Sequence, residues 1–282
     1  MLIDWCDTLH FELRRDGLVS REDLSTPLPP DDLVLRAARA LQAADSFQSG
    51  APKGAHIGVH KRIPIQAGLG GGSSDAATTL LALNRLWQMG LPLSELAAIG
   101  LTLGADVPFF LYGQNAWVEG VGEKMTPVAV PPARFLVAKP PHGVQTGAVF
   151  SHADLKRDSP NAIISGFAEV PFAFGQNDLQ SVAQALCPGI EVGLAWLAGL
   201  DAASPDVGSD RSMDESGATA GKTGLQGRMT GSGSAVFAHV SGDFPPQGVR
   251  RPVPDGFTVR LCSNLQAHPL SGWAVADERR LA

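Results

Sequence analysis

Cysteine is scarce in this sequence. Cys6, Cys187 and Cys262 are the only three in 282 residues, without the CxxC pairs of a zinc site or the density of a disulfide scaffold. A reducing cytoplasm fits such a chain. No run of about 18 apolar residues occurs, and residues 1–5 (MLIDW) lack the basic-then-apolar pattern of a secretory leader, which argues against membrane spanning and secretion. Positive charge is not in excess either: 22 Lys and Arg against 28 Asp and Glu leave a net charge of −6. That excludes the large basic field of a protein whose main task is neutralising nucleic-acid phosphates. An anionic ligand would need a local device.

What the chain has is the balance of a soluble globular protein, with 44% hydrophobic and 18% charged residues. Its length exceeds the usual single-domain size, so two halves around a cleft are expected. The Pro-rich turn at Pro131 and Pro132 suggests domains 1–132 and 133–282.

Residues 8–14 alternate Leu9, Phe11 and Leu13 with His10, Glu12 and Arg14, the pattern of a half-buried strand that Gly17 closes. Asp31 is placed to cap a helix over 32–47, with Leu33, Val34, Ala37, Ala38 and Leu41 as its apolar stripe. A strand over 55–63 feeds a glycine-rich loop, and a helix with Ala76, Leu80, Leu83, Leu86 and Trp87 at helical spacing starts at Ser73. Further helices are predicted over 94–103, 178–186 and 192–200, and strands over 115–118, 134–138 and 235–240. Residues 201–227, rich in Ser, Gly, Asp and Ala without periodicity, read as a mobile surface insertion.

The loop runs Pro64, Ile65, Gln66, Ala67, Gly68, Leu69, Gly70, Gly71, Gly72, Ser73, Ser74. Glycines let backbone approach an anion closely, and the unpaired amides and positive dipole end of the following helix make a seat for phosphate. Ser73 and Ser74 add hydroxyl donors or a possible magnesium ligand. A merely tight strand-to-helix turn with a serine cap would use the same residues. Two familiar phosphate loops fail: no lysine follows Gly72, and the glycine spacing is not GxGxxG.

The sequence does resemble the GHMP kinases, whose phosphate motif has the form PxxxGLGSS. Three stretches carry the likeness: IPIQAGLGGGSSDAATTLLALNRLW, LGADVPFFLYGQNAWVEGVGE and MTGSGSAVFA. The resemblance covers most of residues 7–200 and 228–270. It implies an α+β, two-lobed fold, with an N-terminal lobe like domain 2 of ribosomal protein S5, a ferredoxin-like C-terminal lobe, and a left-handed βαβ crossover near the phosphate loop. It implies ATP with Mg2+ as cofactors. Within the family the likeness is strongest to the branch that phosphorylates the 2-hydroxyl of a small-molecule substrate, 4-diphosphocytidyl-2-C-methyl-D-erythritol, with neither nucleic acid nor membrane as partner. The alternatives are a GHMP kinase acting on homoserine, mevalonate or a sugar, and a nucleotide-binding protein without turnover.

The resemblance also implies site residues. Asp106, in GADVP, matches the residue that orients and deprotonates the attacking hydroxyl; on its own an Asp there could equally close a turn. Thr146 and Phe150, in GVQTGAVF, match the substrate wall, with the ring stacking on cytosine, although ordinary core packing would also suit Phe150. Gly231, Ser232 and Gly233 match the glycine motif that closes against the phosphate loop. Lys61 would lie beside adenine, with contacts largely through backbone. His56 and His60 sit in a strand-like stretch and do not form a helical metal pair.

Three departures stand out. Family members open with a PAKxNLxLxV-type strand and a GYHxLxT segment, and neither occurs here. The chain is therefore expected to start after them, to keep the nucleotide loop, and to turn over poorly as written. Asp32 stands where the family has asparagine beside the adenine, and its charge would weaken nucleotide binding unless solvated. Prolines and glycines over 241–256 make a family helix there improbable.

Overall fold

The computed structural model describes residues 1–44, 52–160, 162–169, 171–200, 224–240 and 251–274. They form two compact units. The first takes the described residues within Met1–Ile65 and Gly70–Val130 and those from Leu265 on; the second takes Gln66–Leu69 and those within Pro131–Asn264. The break thus falls after Val130, but the units are not two consecutive halves. Gln66–Leu69 joins the second unit because the carbonyls of Gln66, Ala67 and Gly68 accept from Ser234 N, Ala235 N and Thr230 Oγ1. The chain returns to the first unit at Leu265, whose carbonyl accepts from Asn115 Nδ2 at 2.8 Å, and Gln266 Nε2 donates to Val130 O at 3.0 Å.

In the first unit a short strand β1 (Leu2–Ile3) precedes β2 (Thr8–Arg14), β3 (Val19–Asp23), α1 (Leu33–Ala43) and β4 (Gly54–His60). The sheet order is β2-β4-β3, with β4 antiparallel to β2 and parallel to β3, so α1 is the crossover of a βαβ unit. Ala55, Ile57 and Val59 alternate inward on β4 and pack with Val34, Ala37, Ala38 and Leu41 of α1. The cap of α1 is Asp32, not Asp31: its carboxylate accepts from Leu35 N at 3.2 Å. Residues 45–47 of the expected helix lie outside the described residues.

Helix α2 (Gly71–Leu86) starts two residues before the expected Ser73, because Gly70 takes the left-handed conformation, φ 68°, at its N-cap. Its Ala76, Ala77, Leu80, Leu81 and Leu83 join the same core. Next come α3 (Leu93–Leu103) and α4 (Val107–Tyr112). Pro108, which reads as a breaker in sequence, sits in the first turn of α4, where its fixed φ and missing N–H are tolerated. The strands β5 (Ala116–Glu119) and β6 (Lys124–Pro127) pair as an antiparallel hairpin.

The second unit contains β7 (Arg134–Lys139), α5 (Thr146–Ser151), α6 (Ile164–Glu169), α7 (Gln180–Leu186), α8 (Gly189–Ala198), β8 (Arg228–Met229), β9 (Val236–Val240) and β10 (Thr258–Leu265). Its strands run antiparallel in the order β10-β7-β9-β8. Leu136, Ala138, Val236 and Ala238 on the sheet meet Val182, Ile190 and Leu197 on the helices. Of the expected insertion 201–227, residues 201–223 lie outside the described residues. Leu225 is buried in this core, so it belongs to the packed body and not to a surface insertion. Residues 241–250 also lie outside the described residues, and 251–257 form no helix. Among the described residues no single helix is long and apolar enough to cross a membrane.

Candidate active site

The loop expected to seat an anion runs into the start of α2. Among the described residues the amides of Gly71, Gly72 and Ser73 have no backbone acceptor, the first ladder bond in α2 being Ser74 N to Gly70 O at 2.9 Å. Three donors therefore remain at the positive end of a 16-residue helix. Neither Ser73 nor Ser74 caps the helix, and their hydroxyls have no partner among the described residues. A side chain on Gly70 would meet the Phe110 ring at 2.9 Å. On Gly71 it would meet Ile63 Cγ2 at 3.0 Å and Lys61 Nζ at 3.4 Å. The glycines are required both for backbone conformation and for close packing beneath the helix start. Ala67 is buried, and its carbonyl is taken by Ala235 N at 3.0 Å, which makes it an anchor of the loop.

Beneath this seat lies a cluster of charge that the sequence reading missed. Lys61 Nζ donates to Asp75 Oδ2 at 2.7 Å and also to Asp7 Oδ2. The three side chains are nearly solvent-free, at 5%, 6% and 2% exposure. Asp7 is further satisfied by the amides of Arg62 and Ile63 at 2.5 and 2.8 Å, so it fixes the segment that leads into the loop. Asp75 has the poorer setting. Burial pushes its carboxyl up to about 7, the nearby Asp7 adds to the rise, and Lys61 opposes it. For Lys61 burial works downward, but the carboxylates, Asp75 foremost, outweigh it and raise its pKa above the ordinary lysine value. The one signal in the sequence is that Asp75 falls on the buried side of α2, where an acid needs a cation.

The backbone of Lys61 is also engaged. Its N–H donates to Ser25 Oγ at 2.8 Å, and that hydroxyl donates back to the Lys61 carbonyl at 3.2 Å. Asp32, whose charge was expected to oppose nucleotide binding, pairs with Arg21 at 2.5 Å and is mostly buried, so the extra negative charge is neutralised where it arises.

Asp106 immediately precedes α4 yet makes no side-chain cap bond, and it has no hydrogen-bond or ion-pair partner among the described residues. It is exposed. Helix α4 packs on α2, and an added Cβ on Gly104, in the same GADVP turn, would come within 3.9 Å of Ser73 Oγ. The turn that carries this carboxylate therefore adjoins the first turn of α2.

In the second unit, Thr146 and Phe150 stand one helical turn apart on the exposed side of α5, while Val149 takes the core position. Phe150 is 55% exposed, so core packing does not account for it. Thr146 Oγ1 shares a hydrogen bond of 2.8 Å with Ser232 Oγ. His56 bonds Ser20 Oγ at 3.0 Å within the sheet. Among the described residues no group of three or more His, Cys, Asp or Glu could hold a metal ion.

Residues 32–114, which hold the glycine loop opening α2 and the Asp106 turn beside its first turn, match the family of GHMP kinases N terminal domain. A 4-diphosphocytidyl-2-C-methyl-D-erythritol kinase from Albidiferax ferrireducens is 60% identical over 277 residues, covering 98% of this chain and 86% of that protein. One from Variovorax paradoxus is 56% identical over 289 residues, covering 97% and 88%. The chain belongs to this family, the 4-diphosphocytidyl-2-C-methyl-D-erythritol kinases within the GHMP class. A crystal structure of a 4-(cytidine 5'-diphospho)-2C-methyl-D-erythritol kinase superposes with TM-score 0.61 at 31% identity, covering 85% of this chain and 79% of that one. A homoserine kinase from Cytophaga hutchinsonii, at 17% identity and TM-score 0.65 over 94% and 89%, shares the fold.

Proposed function

We propose that this chain transfers the γ-phosphoryl group of ATP to the 2-hydroxyl of 4-diphosphocytidyl-2-C-methyl-D-erythritol, a step in non-mevalonate isoprenoid precursor synthesis. Membership of the family supports the substrate; the observation that carries the chemistry is the unpartnered Asp106 carboxylate in the turn beside Ser73. The triphosphate lies against the amides of Gly71, Gly72 and Ser73. Asp106 accepts the proton of the attacking hydroxyl as the new O–P bond forms; the bond from the γ-phosphorus to the bridging oxygen breaks, and ADP leaves with the electron pair. Mg2+ would neutralise phosphate charge, and the free hydroxyls of Ser73 and Ser74 are oxygen donors of the kind it prefers. On the acceptor side, Phe150 offers an exposed ring to the cytosine and Thr146 a hydroxyl. Lys61 supports the nucleotide indirectly, by holding the loop's entry segment to α2. Three free cysteines are consistent with work in a reducing cytoplasm.

The test is ADP release from purified protein given ATP, Mg2+ and one acceptor at a time. Release that depends on 4-diphosphocytidyl-2-C-methyl-D-erythritol, however slow, and is absent with homoserine, mevalonate or galactose, is expected. Release with one of the latter and none with the former would transfer the chain to another GHMP activity.

A further inference from the structure

The glycine motif of the second unit is tethered along its whole length. Thr230 Oγ1 donates to Gly68 O at 3.0 Å, Asn177 Nδ2 donates to Gly231 O at 2.8 Å, and Ser234 Oγ donates to His142 O at 2.8 Å. Gly231 lies so close to the loop that a side chain there would come within 2.7 Å of Gly68 O. Between these anchors sits Ser232, 8% exposed, with its hydroxyl 2.8 Å from that of Thr146. Its main chain is thus held by contacts to the phosphate loop and its neighbours, and its side chain reaches α5.

A threonine hydroxyl chooses among few rotamers, and the choice decides where its donor and lone pairs point. We infer that Ser232 is a positioning residue for the acceptor: its hydroxyl selects the Thr146 rotamer that faces the substrate, so one motif serves the phosphate loop with its backbone and the acceptor wall with its side chain. A hydroxyl has one proton and two lone pairs, so Thr146 keeps bonding capacity for substrate after pairing with Ser232. The inference rests on Thr146 being an acceptor contact.

Calorimetric binding of 4-diphosphocytidyl-2-C-methyl-D-erythritol and of ATP to the full chain tests it, with variants Ser232→Ala, Ser232→Thr, Thr146→Val and the Ala/Val double. Loss of one hydrogen bond in Ser232→Ala should weaken the acceptor about 5- to 10-fold. ATP affinity should stay within about twofold and the melting temperature should be unchanged. Ser232→Thr, which keeps the hydroxyl, should restore acceptor binding, and Ser232→Ala should cost nothing further once Thr146 is Val. Acceptor and ATP weakening together, or additive losses in the double variant, would overturn the inference by giving Ser232 a general structural role. If Thr146→Val weakens the acceptor and Ser232→Ala does not, the inference alone falls. If Thr146→Val binds acceptor as the unsubstituted chain does, or that chain binds none, the substrate reading of Thr146 falls and takes the inference with it.

Discussion

Lys61 and Asp75 form a buried ion pair of 2.7 Å that ties the end of β4 to the second turn of α2. A second carboxylate, Asp7, competes for the same ammonium. One cation cannot compensate two acids in a dry setting, and Asp75, without the amides that serve Asp7, keeps its proton up to about pH 7. In the unfolded chain that carboxyl ionises in the ordinary range, so between there and neutrality the folded state binds the extra proton. Stability contributed by this site must therefore fall as pH rises through the window. Lys61 acts at the other end: its raised pKa contributes stability at all lower pH, lost only in strongly alkaline solution.

Asp75→Asn removes the titration and keeps the shape. Its melting temperature should gain on the unsubstituted protein as pH rises from about 5 to about 8, whatever the offset between them at the start. Parallel curves would show that Asp75 is ionised throughout. Lys61→Met leaves two buried acids, Asp7 and Asp75, without their cation and should cost about 3–5 kcal/mol, measured by urea unfolding.

Gly71→Val tests the packing under the anion seat. The added side chain points at Ile63 and Lys61, with first contacts at 3.0 and 3.4 Å, rather than outward from the helix start. Ile63 and Lys61 must give way beneath the helix start, the branched side chain crowds the amides there, and ATP binding measured by calorimetry should be lost. Unchanged affinity in a variant whose circular dichroism is native would remove the loop from the nucleotide site.

Asp106→Asn preserves shape and removes the base. Since Asp106 caps nothing, melting should not change. Turnover should fall about 10²- to 10⁴-fold with ATP affinity kept. A variant with the parent's kcat would leave Asp106 without a chemical role.

Phe150→Ala should weaken acceptor binding roughly tenfold or more, the scale of one ring–base stack, and leave stability nearly untouched because the ring is 55% exposed. A fall in melting temperature without a change in acceptor affinity would make Phe150 a packing residue.

Local pattern and motif carried much of this molecule. Strand β2 spans Thr8–Arg14, the residues its alternation marks, and the glycine loop with α2 stands out from composition alone. Strand β3 does not stand out, since VSRED has one apolar residue and pairs through backbone with β4. Helix α4 was hidden by Pro108, which reads as a breaker until its place in the first turn is known. The charge cluster was the least legible part. Asp7 and Lys61 lie 54 positions apart, and only the fold brings both against Asp75. Asp32 looked like an uncompensated charge because its partner Arg21 lies on β3, the strand that the apolar pattern does not mark.

The central claim is phosphoryl transfer to one particular hydroxyl, and phosphorus NMR of a reaction with ATP, Mg2+ and 4-diphosphocytidyl-2-C-methyl-D-erythritol reads it directly. The account requires a new phosphomonoester resonance on the acceptor's C2 oxygen, growing in step with ADP and absent from the Asp106→Asn protein on the same time scale. ADP accumulating with inorganic phosphate alone, or a phosphomonoester formed equally well by the Asn variant, would contradict it.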